Sequence, residues 1–237
     1  MMSEEIIMKV LILGGSTDIG ISLAKYFQNL GNTVIVTYNT HKCNIDDIEC
    51  LHLDIRDENE IESTIKYVIN KYGKIDLLIN MAAVSYDNLF LDNTKEEFMN
   101  ALEVNLVGPF LASKIYSKYI DDGIILNIAS TDGIDTYSKY SMLYSASKAG
   151  VINMSRSMAL GTNNKVLCIC PNWIDSDSTR EMDSTYLNSE LKRIKQDRLI
   201  TLDEFNEAVN EVINNYQSGD VIRIDIKGDK LWIAKIL

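Results

Sequence analysis

The stretch "KVLILGGSTDIG" (9–20) joins an apolar run directly to the start of a helical pattern. The stretch 9–15 is continuously apolar after Lys9 and ends in two glycines, which is typical of a strand buried on both faces. Residues 19–31 then repeat apolar side chains at helical spacing and end at Gly31, a residue type that commonly stops helices. The stretch therefore predicts a strand, a tight turn and a helix in immediate succession.

The same alternation continues along the whole chain. It predicts further strands at 32–39, 50–55, 74–83, 123–130, 165–171 and 219–226, and helices at 56–73, 94–120, 144–160 and 201–216. Strands separated by helices favour an α/β fold of the Rossmann type, a doubly wound parallel sheet with helices on both faces. Because the 237 residues contain only 2 Pro and no linker-like stretch, we expect one domain over residues 1–237.

Composition excludes several classes of function. The net charge of −11 disfavours nucleic acid and an acidic membrane surface as partners, because both require a basic patch. No segment is apolar for long enough to span a bilayer, and the acidic N-terminus does not resemble a signal peptide. The 4 cysteines and 2 histidines show no spacing suited to zinc, so we expect reduced thiols, no metal site and a cytoplasmic protein.

The turn "GGSTDIG" (14–20) is a candidate phosphate site. A helix start offers unpaired N–H groups and partial positive charge, and glycines allow close approach of the backbone. The spacing is G-x-x-x-D-x-G, not G-x-G-x-x-G, so the signal is weak by itself. Asp18 stands at the helix start, where we expect it to cap backbone N–H groups.

The segment "YSASK" (144–148) allows two hypotheses. In the first, small residues pack a helix closely against a neighbour, with Tyr144 half-buried and Lys148 reaching solvent. In the second, Tyr144 is a proton donor and Lys148, one helical turn away, lowers its pKa. An ammonium at ~4 Å in an effective dielectric of ~20 is worth about 4 kcal/mol, enough for a shift of up to about three units.

The order of motifs resembles the short-chain dehydrogenase/reductase family and supports the second hypothesis. The matching stretches are "LGGSTDIG", "NMAA" (80–83), Asn105 in "VNLVGPF", Ser130 in "NIAS", "YSASK" and "PNW" (171–173). Residues 86–110 look most like the 3-oxoacyl-[acyl-carrier-protein] reductase type. This sequence departs from the family pattern at Asp18, Met81, Ala83 and Asn172, and in the "IDIKGD" stretch near the C-terminus.

The resemblance implies a hydride transfer between a nicotinamide cofactor and a ketone or secondary alcohol. Tyr144 would give the proton and Ser130 would hold the substrate oxygen, with Thr131 as a substitute because the spacing to Tyr144 is one residue longer than usual. Lys148 would bind the nicotinamide ribose, and Asn105 would hold a water in a proton relay through Lys148. A structural role for Asn105 or Ser130 remains an alternative.

The resemblance also implies a set of cofactor-binding residues. Asp54 would contact the adenine amino group, Asn80 would steady the central sheet, and Ser176 and Ile174 would contact the carboxamide. The full set is Gly14, Ser16, Thr17, Asp18, Ile19, Gly20, Asn39, Asp54, Ile55, Asn80, Ala82, Tyr144, Lys148, Pro171, Ile174 and Ser176.

The end of the second strand bears on the choice of cofactor. NAD enzymes commonly place an acidic residue there to bind the ribose 2′-hydroxyl. This chain has "VTYNTHK" (36–42), in which His41 and Lys42 suit a 2′-phosphate. The sequence therefore favours NADP over NAD, although Thr17 stands where NADP enzymes often carry a basic residue.

The substrate and the assembly stay open at this level. An acyl carrier protein is acidic, and the segment "KYIDDG" (118–123) offers it no basic patch, so a small ketone, sugar or polyol is the alternative. Residues 178–198 are expected to form a lid over the substrate. By the resemblance we expect a homotetramer built through the helices that hold Asn105 and Tyr144. The competing hypothesis is a nicotinamide-binding regulatory or scaffold protein without turnover.

Overall fold

The computed structural model describes residues 7–237, and an eight-stranded sheet forms its centre. The strands are β1 (Lys9–Leu13), β2 (Thr33–Tyr38), β3 (Glu49–His52), β4 (Leu77–Asn80), β5 (Ile124–Ile128), β6 (Lys165–Pro171), β7 (Val221–Lys227) and β8 (Lys230–Lys235). Their order is β3-β2-β1-β4-β5-β6-β7-β8, and all neighbours are parallel except β7 and β8. The predicted doubly wound α/β fold is confirmed.

Eight α-helices cover the sheet in the described residues. They are α1 (Asp18–Asn29), α2 (Glu58–Tyr72), α3 (Lys95–Leu102), α4 (Gly108–Tyr119), α5 (Met142–Met158), α6 (Asp177–Arg180), α7 (Ser184–Ile194) and α8 (Leu202–Asn215). The predicted helix at 94–120 is divided by a π-helical segment, Glu103–Val107, which carries Asn105. None of the helices in residues 7–237 is long and apolar enough to cross a bilayer.

Alternate side chains of the strands face opposite helix layers. In β1, Val10 and Ile12 pack in one core cluster with residues of α1 and α8, including Phe27 and Phe205. Leu11 and Leu13 pack in the other cluster with residues of α2 and α4. Because both faces are covered, the strand reads as a continuous apolar run in the sequence.

The last strand, β8, was not predicted. It pairs with β7 through a two-residue turn in which Gly228 has a φ of +61°. Leu231, Trp232 and Ile233 are each only partly buried at the sheet edge. The "IDIKGD" stretch that departs from the family pattern therefore forms the end of β7 and the turn of this hairpin.

Candidate active site

A cleft of about 610 Å³ lies at the carboxyl ends of the parallel strands. Residues that follow four different strands line it, among them Gly14 after β1, Met81 after β4, Ser130 after β5 and Asn172 after β6. In open α/β sheets this edge is where ligands bind. The strand order of the fold therefore brings the predicted motifs together.

The first turn presents backbone donors to this cleft. Gly14 has a φ of +77°, and a Cβ there would lie 2.4 Å from the Cα of Ala82, so no other residue fits. Thr17 caps α1 by accepting a hydrogen bond from the Gly20 N–H. No described residue accepts from the N–H groups of Asp18 or Ile19, and these donors suit a diphosphate.

Asp18 does not cap α1 as expected. Its Oδ2 accepts a hydrogen bond of 2.7 Å from the backbone N–H of Asp177, at the start of α6. Thr17 takes the capping position because its extended backbone aims its hydroxyl at the Gly20 N–H. The carboxylate of Asp18 therefore joins the first turn to the segment after β6.

The hydroxyls of Ser130 and Tyr144 face the same cleft, and Lys148 is beside them. The Oγ of Ser130 accepts from the Asp132 N–H at 3.1 Å, which leaves the hydroxyl proton free to donate to a ligand. Lys148 is 2% exposed, and its Nζ donates to the Ile128 carbonyl at 2.7 Å. Thr131, the suggested substitute for Ser130, does not line the cleft. It is fully buried, and its hydroxyl forms hydrogen bonds with Asn172 and Thr136.

The expectation that the pKa of Tyr144 is lowered is wrong: the surrounding residues raise it. Burial raises the pKa of Tyr144, the charge of Asp132 raises it further, and the Ser130 hydroxyl opposes this in part. Desolvation outweighs the lysine because the ammonium is turned to the Ile128 carbonyl. Burial also lowers the pKa of Lys148 to about 8.

Comparison with known proteins agrees with this geometry. A family model described as short chain dehydrogenase matches residues 8–187 of the 237. The chain belongs to the short-chain dehydrogenase family. It is therefore an oxidoreductase of a family that binds NAD or NADP, and its similarity to 3-oxoacyl-[acyl-carrier-protein] reductases is confirmed.

Individual relatives match along most of this short-chain dehydrogenase. It is similar to the 3-oxoacyl-[acyl-carrier-protein] reductase FabG of Thermotoga maritima, at 29% identity over 91% of this chain and 95% of the relative. It is similar to carbonyl reductase family member 4 of Xenopus laevis, at 31% identity over 90% and 94%. A dehydrogenase/reductase structure from Sinorhizobium meliloti superimposes with a TM-score of 0.83 at 23% identity, covering 91% and 92%.

Several predicted residues of this short-chain dehydrogenase lie in the cleft and others do not. Among those predicted, the lining contains Gly14, Thr17, Ile19, Ser130, Tyr144, Lys148, Pro171, Ile174 and Ser176. Outside it lie Ser16, Asp18, Gly20, Asn39, Asp54, Ile55, Asn80, Ala82 and Asn105. The roles of the second group stay predictions, since backbone atoms of a turn can bind a ligand without lining a cleft.

Asn105 and Asn80 are both engaged inside the protein. The Asn105 amide donates to the Val84 carbonyl and to the Ser147 hydroxyl, both at 2.9 Å, while its oxygen accepts from the Val84 N–H. It therefore ties the loop after β4 to α5. The Asn80 amide donates to Ser113 and to Asn127 within the buried sheet. These contacts give both side chains a positioning role.

The residues predicted for the adenosine half differ in exposure. Asn39, just after β2, is exposed, and Ile55 is buried, where it would block a Cβ on Gly108. Asp54 accepts three hydrogen bonds from the Arg56 guanidinium, at 2.9, 3.2 and 2.6 Å. The Arg56 side chain holds the pKa of Asp54 below its ordinary value. The carboxylate of Asp54 is thus ionised and already paired.

The segment 178–198 contains most of α6 and all of α7 and contributes to the lining of the cleft. Ser178, Thr179, Met182 and Tyr186 line it. Arg193 of α7 donates to the carbonyls of Thr136 and Tyr137 at 2.8 and 3.2 Å, so α7 is attached to the loop after β5.

Sequence reasoning missed the residues around Tyr144 that no family motif contains. Asp132, Thr136 and Tyr140 all line the cleft. Asp132 is the most informative, because it is a buried carboxylate two residues after Ser130. Its position within a 3₁₀ turn directly after a strand was the available signal.

Proposed function

We propose that this short-chain dehydrogenase transfers a hydride between NADP(H) and a ketone or secondary alcohol, with Tyr144 as the proton donor. The chemistry is that of the 3-oxoacyl-[acyl-carrier-protein] reductases to which the chain is similar. The proposal rests on one observation. Ser130, Tyr144 and Lys148 line the same cleft as Gly14 and Thr17, which belong to the turn before α1.

Ser130 and Tyr144 have separate roles in the proposed reduction of the carbonyl group. When bound, the nicotinamide supplies or accepts the hydride. The Ser130 hydroxyl, held by the Asp132 N–H, donates to the carbonyl oxygen, and Tyr144 gives that oxygen its proton. The reduction then consumes one carbonyl, one hydride and one proton and yields the alcohol. Because burial raises the pKa of Tyr144, the phenol is protonated at neutral pH, as a proton donor requires.

Lys148 supports this step from the same helix face. Its pKa of about 8 keeps the ammonium predominantly charged at pH 7, beside the phenol that becomes negative when its proton leaves. The position of Lys148 in the cleft supports contact with the ribose hydroxyls. We propose that Asn105 acts on the relay indirectly, through its bond to Ser147 on α5.

The end of β2 supports NADP over NAD. The loop that follows has no carboxylate up to residue 45, and the side chains of His41 and Lys42 are exposed. A carboxylate would repel the 2′-phosphate, whereas Lys42 would attract it. Asn39 at the same strand end offers a neutral amide to the ribose.

A small-molecule substrate is favoured over a carrier protein. The chain carries a net charge of −11, and an acidic protein partner would meet repulsion.

The four free cysteines support a cytoplasmic location. The competing hypothesis of a protein without turnover is not supported, because the chain belongs to an oxidoreductase family and the cleft contains the hydroxyls and the lysine to which we assign catalysis.

We also propose a homotetramer. The stretch from α3 into α4 exposes Phe98, Met99, Val107 and Phe110, each between 38% and 46% accessible. Exposed apolar side chains that lie close together commonly mark an interface. Light scattering on a size-exclusion column decides this, and a monomer would contradict it.

Titration with NADPH and NADH, followed by nicotinamide fluorescence, tests the cofactor proposal. We expect NADPH to bind at least about tenfold more tightly, which is the effect of one well-placed charge. Turnover is then measured with a 3-oxoacyl thioester, a diketone and a hydroxyketone. If neither nucleotide binds, or none of these carbonyls is reduced, the proposed function is contradicted.

A further inference from the structure

The part of the cleft around Tyr144 contains several polar side chains. It combines hydroxyl side chains such as Thr136 and Ser138 with two carboxylates, Asp87 and Asp132. Aromatic side chains complete it, with Tyr140 and Tyr186 packed edge to face at 5.9 Å. These polar groups lie in a lining that is otherwise largely apolar, so they can bind a polar group of a ligand at a fixed position.

Asp132 has a fixed position in this lining. It is 9% exposed, and its backbone N–H bonds to Ser130, the residue that holds the substrate oxygen. Oδ1 accepts from the Thr136 hydroxyl at 2.9 Å. Among residues 7–237 no donor reaches Oδ2, so this oxygen has the capacity to accept a hydrogen bond from a ligand.

The positive charges near Asp132 are already engaged. Arg193 donates to Glu190 and to the carbonyls of Thr136 and Tyr137. Lys148 is the one basic residue in the described lining, and it donates to Ile128. An anionic substrate would therefore meet two carboxylates and a single ammonium, that of Lys148, whereas a hydrogen-bond donor would find an acceptor.

We propose that Asp132 is a substrate-binding residue that selects ketones carrying a hydroxyl group close to the reacting carbonyl, and the corresponding diols. The substrate hydroxyl donates to Oδ2 while the carbonyl oxygen lies between Ser130 and Tyr144. The inference rests on the proposed function, since it needs the carbonyl to be reduced at Tyr144. It narrows the substrate to a small, neutral, hydroxylated carbonyl compound.

Asp132 has a second structural explanation, and the test must separate the two. Its bond to Thr136 also steadies the loop after β5, so truncation could lower activity toward every substrate equally. If Asp132 selects the substrate, its truncation instead changes the ratio of kcat/KM values between ketones that differ only in the hydrogen-bond donor beside the carbonyl. The quantity to measure is therefore this ratio, and not the activity toward one ketone.

A three-carbon series provides the matched substrates. Acetone, hydroxyacetone, aminoacetone and pyruvate carry no donor, a hydroxyl, an ammonium and a carboxylate beside the same carbonyl. We expect the wild type with NADPH to prefer hydroxyacetone to acetone by about tenfold or more, and to reject pyruvate. Asp132→Ala should bring the ratio of hydroxyacetone to acetone close to one, and Asp132→Asn, which keeps an acceptor oxygen, should fall between.

Asp135→Asn is the matched control, because Asp135 is an exposed carboxylate three residues away that pairs with Arg223 and does not line the cleft. It should leave the ratio unchanged. Unaltered NADPH binding by the Asp132 variants shows that they fold. If turnover across the series is too slow to measure, the same comparison is made by titrating each ketone into the enzyme–NADPH complex.

Three results would overturn the proposal: a wild-type ratio near one, a ratio that survives Asp132→Ala, or a clear preference for aminoacetone, which would show that the carboxylate binds a cation. A failure to bind NADPH or NADH, or to reduce any carbonyl including the thioester and the diketone, would instead contradict the proposed function.

Discussion

The Nζ of Lys148 lies 5.4 Å from the centre of the Tyr144 ring, on the same face of α5. The four-residue spacing brings the two together, but the ammonium is bonded to the Ile128 carbonyl and not to the phenol. Burial consequently has the largest effect on the pKa of both groups: it raises the pKa of the tyrosine and lowers that of the lysine. A buried ammonium is costly, so the lysine is retained at the expense of stability.

Lys148→Met should therefore stabilise the protein at pH 7. The pKa of Lys148 falls from 10.5 to about 8 on folding, so between these values the unfolded chain binds more protons and wild-type stability rises with pH. We expect the variant to melt a few degrees higher at pH 7 and the advantage to shrink toward pH 10. Lys25→Met, at an exposed site on α1, is the control and should show no such trend. A variant that melts lower at pH 7 would contradict the assignment of a buried charge.

Gly14 should not tolerate a side chain, whereas Gly31 should. Both have positive φ, +77° and +84°, but a Cβ at Gly14 would lie 2.4 Å from Ala82 and one at Gly31 would meet nothing within 4 Å. We expect Gly31→Ala to cost about 1 kcal/mol of unfolding free energy through its backbone alone. Gly14→Ala should cost several times more or abolish soluble expression. Urea denaturation compares the two, and equal costs would show that the contact with Ala82 is unimportant.

Asp18 should hold the segment after β6 in place. Its carboxylate accepts the Asp177 N–H at 2.7 Å, and Arg180 follows within the same short helix. Asp18→Ala should expose this segment, so trypsin should cut after Arg180 severalfold faster. Asp18→Asn keeps an acceptor oxygen and should resemble the wild type. Identical cleavage rates for all three proteins would show that the bond has no effect on the segment.

Glu204 should contribute stability that depends on pH. Its bonds to Arg198, with the capping box to Thr201, lower its pKa from 4.5 to about 2. A carboxylate with a lowered pKa stabilises the fold above pH 4.5, and the contribution disappears as the pH falls toward 2. The melting temperature of Glu204→Gln should therefore lie below that of the wild type at pH 7 and approach it near pH 3. Glu211→Gln, exposed on the same helix, should show no trend.

The fold was predictable where burial leaves a clear pattern. Helices cover both faces of the inner strands, so these strands are apolar along their length. The apolar runs in the sequence therefore predicted their positions. The Thr201–Glu204 capping box marked the start of α8. The edge strand β8 was missed although residues 231–234 are all apolar, because so short an apolar run is a weak signal for a strand.

The site was predictable only in part. The motif residues Ser130, Tyr144 and Lys148 meet in one cleft because strand order fixes where each loop ends. The partner of Asp18 lies 159 residues away, a contact that no local pattern contains. The direction of the Tyr144 pKa depends on burial by several elements, and Asp132 belongs to no motif. Both required the three-dimensional structure.

The role of Tyr144 as proton donor is tested most directly by the reduction of a carbonyl substrate by NADPH with Tyr144→Phe. We expect kcat/KM to fall by about 100-fold or more, since general acid catalysis contributes at least that much, while NADPH binds as it does to the wild type. Tyr137→Phe, in the exposed part of the preceding loop, is the control and should keep full activity. A Tyr144→Phe enzyme with more than about a tenth of wild-type activity would show that the proton comes from elsewhere.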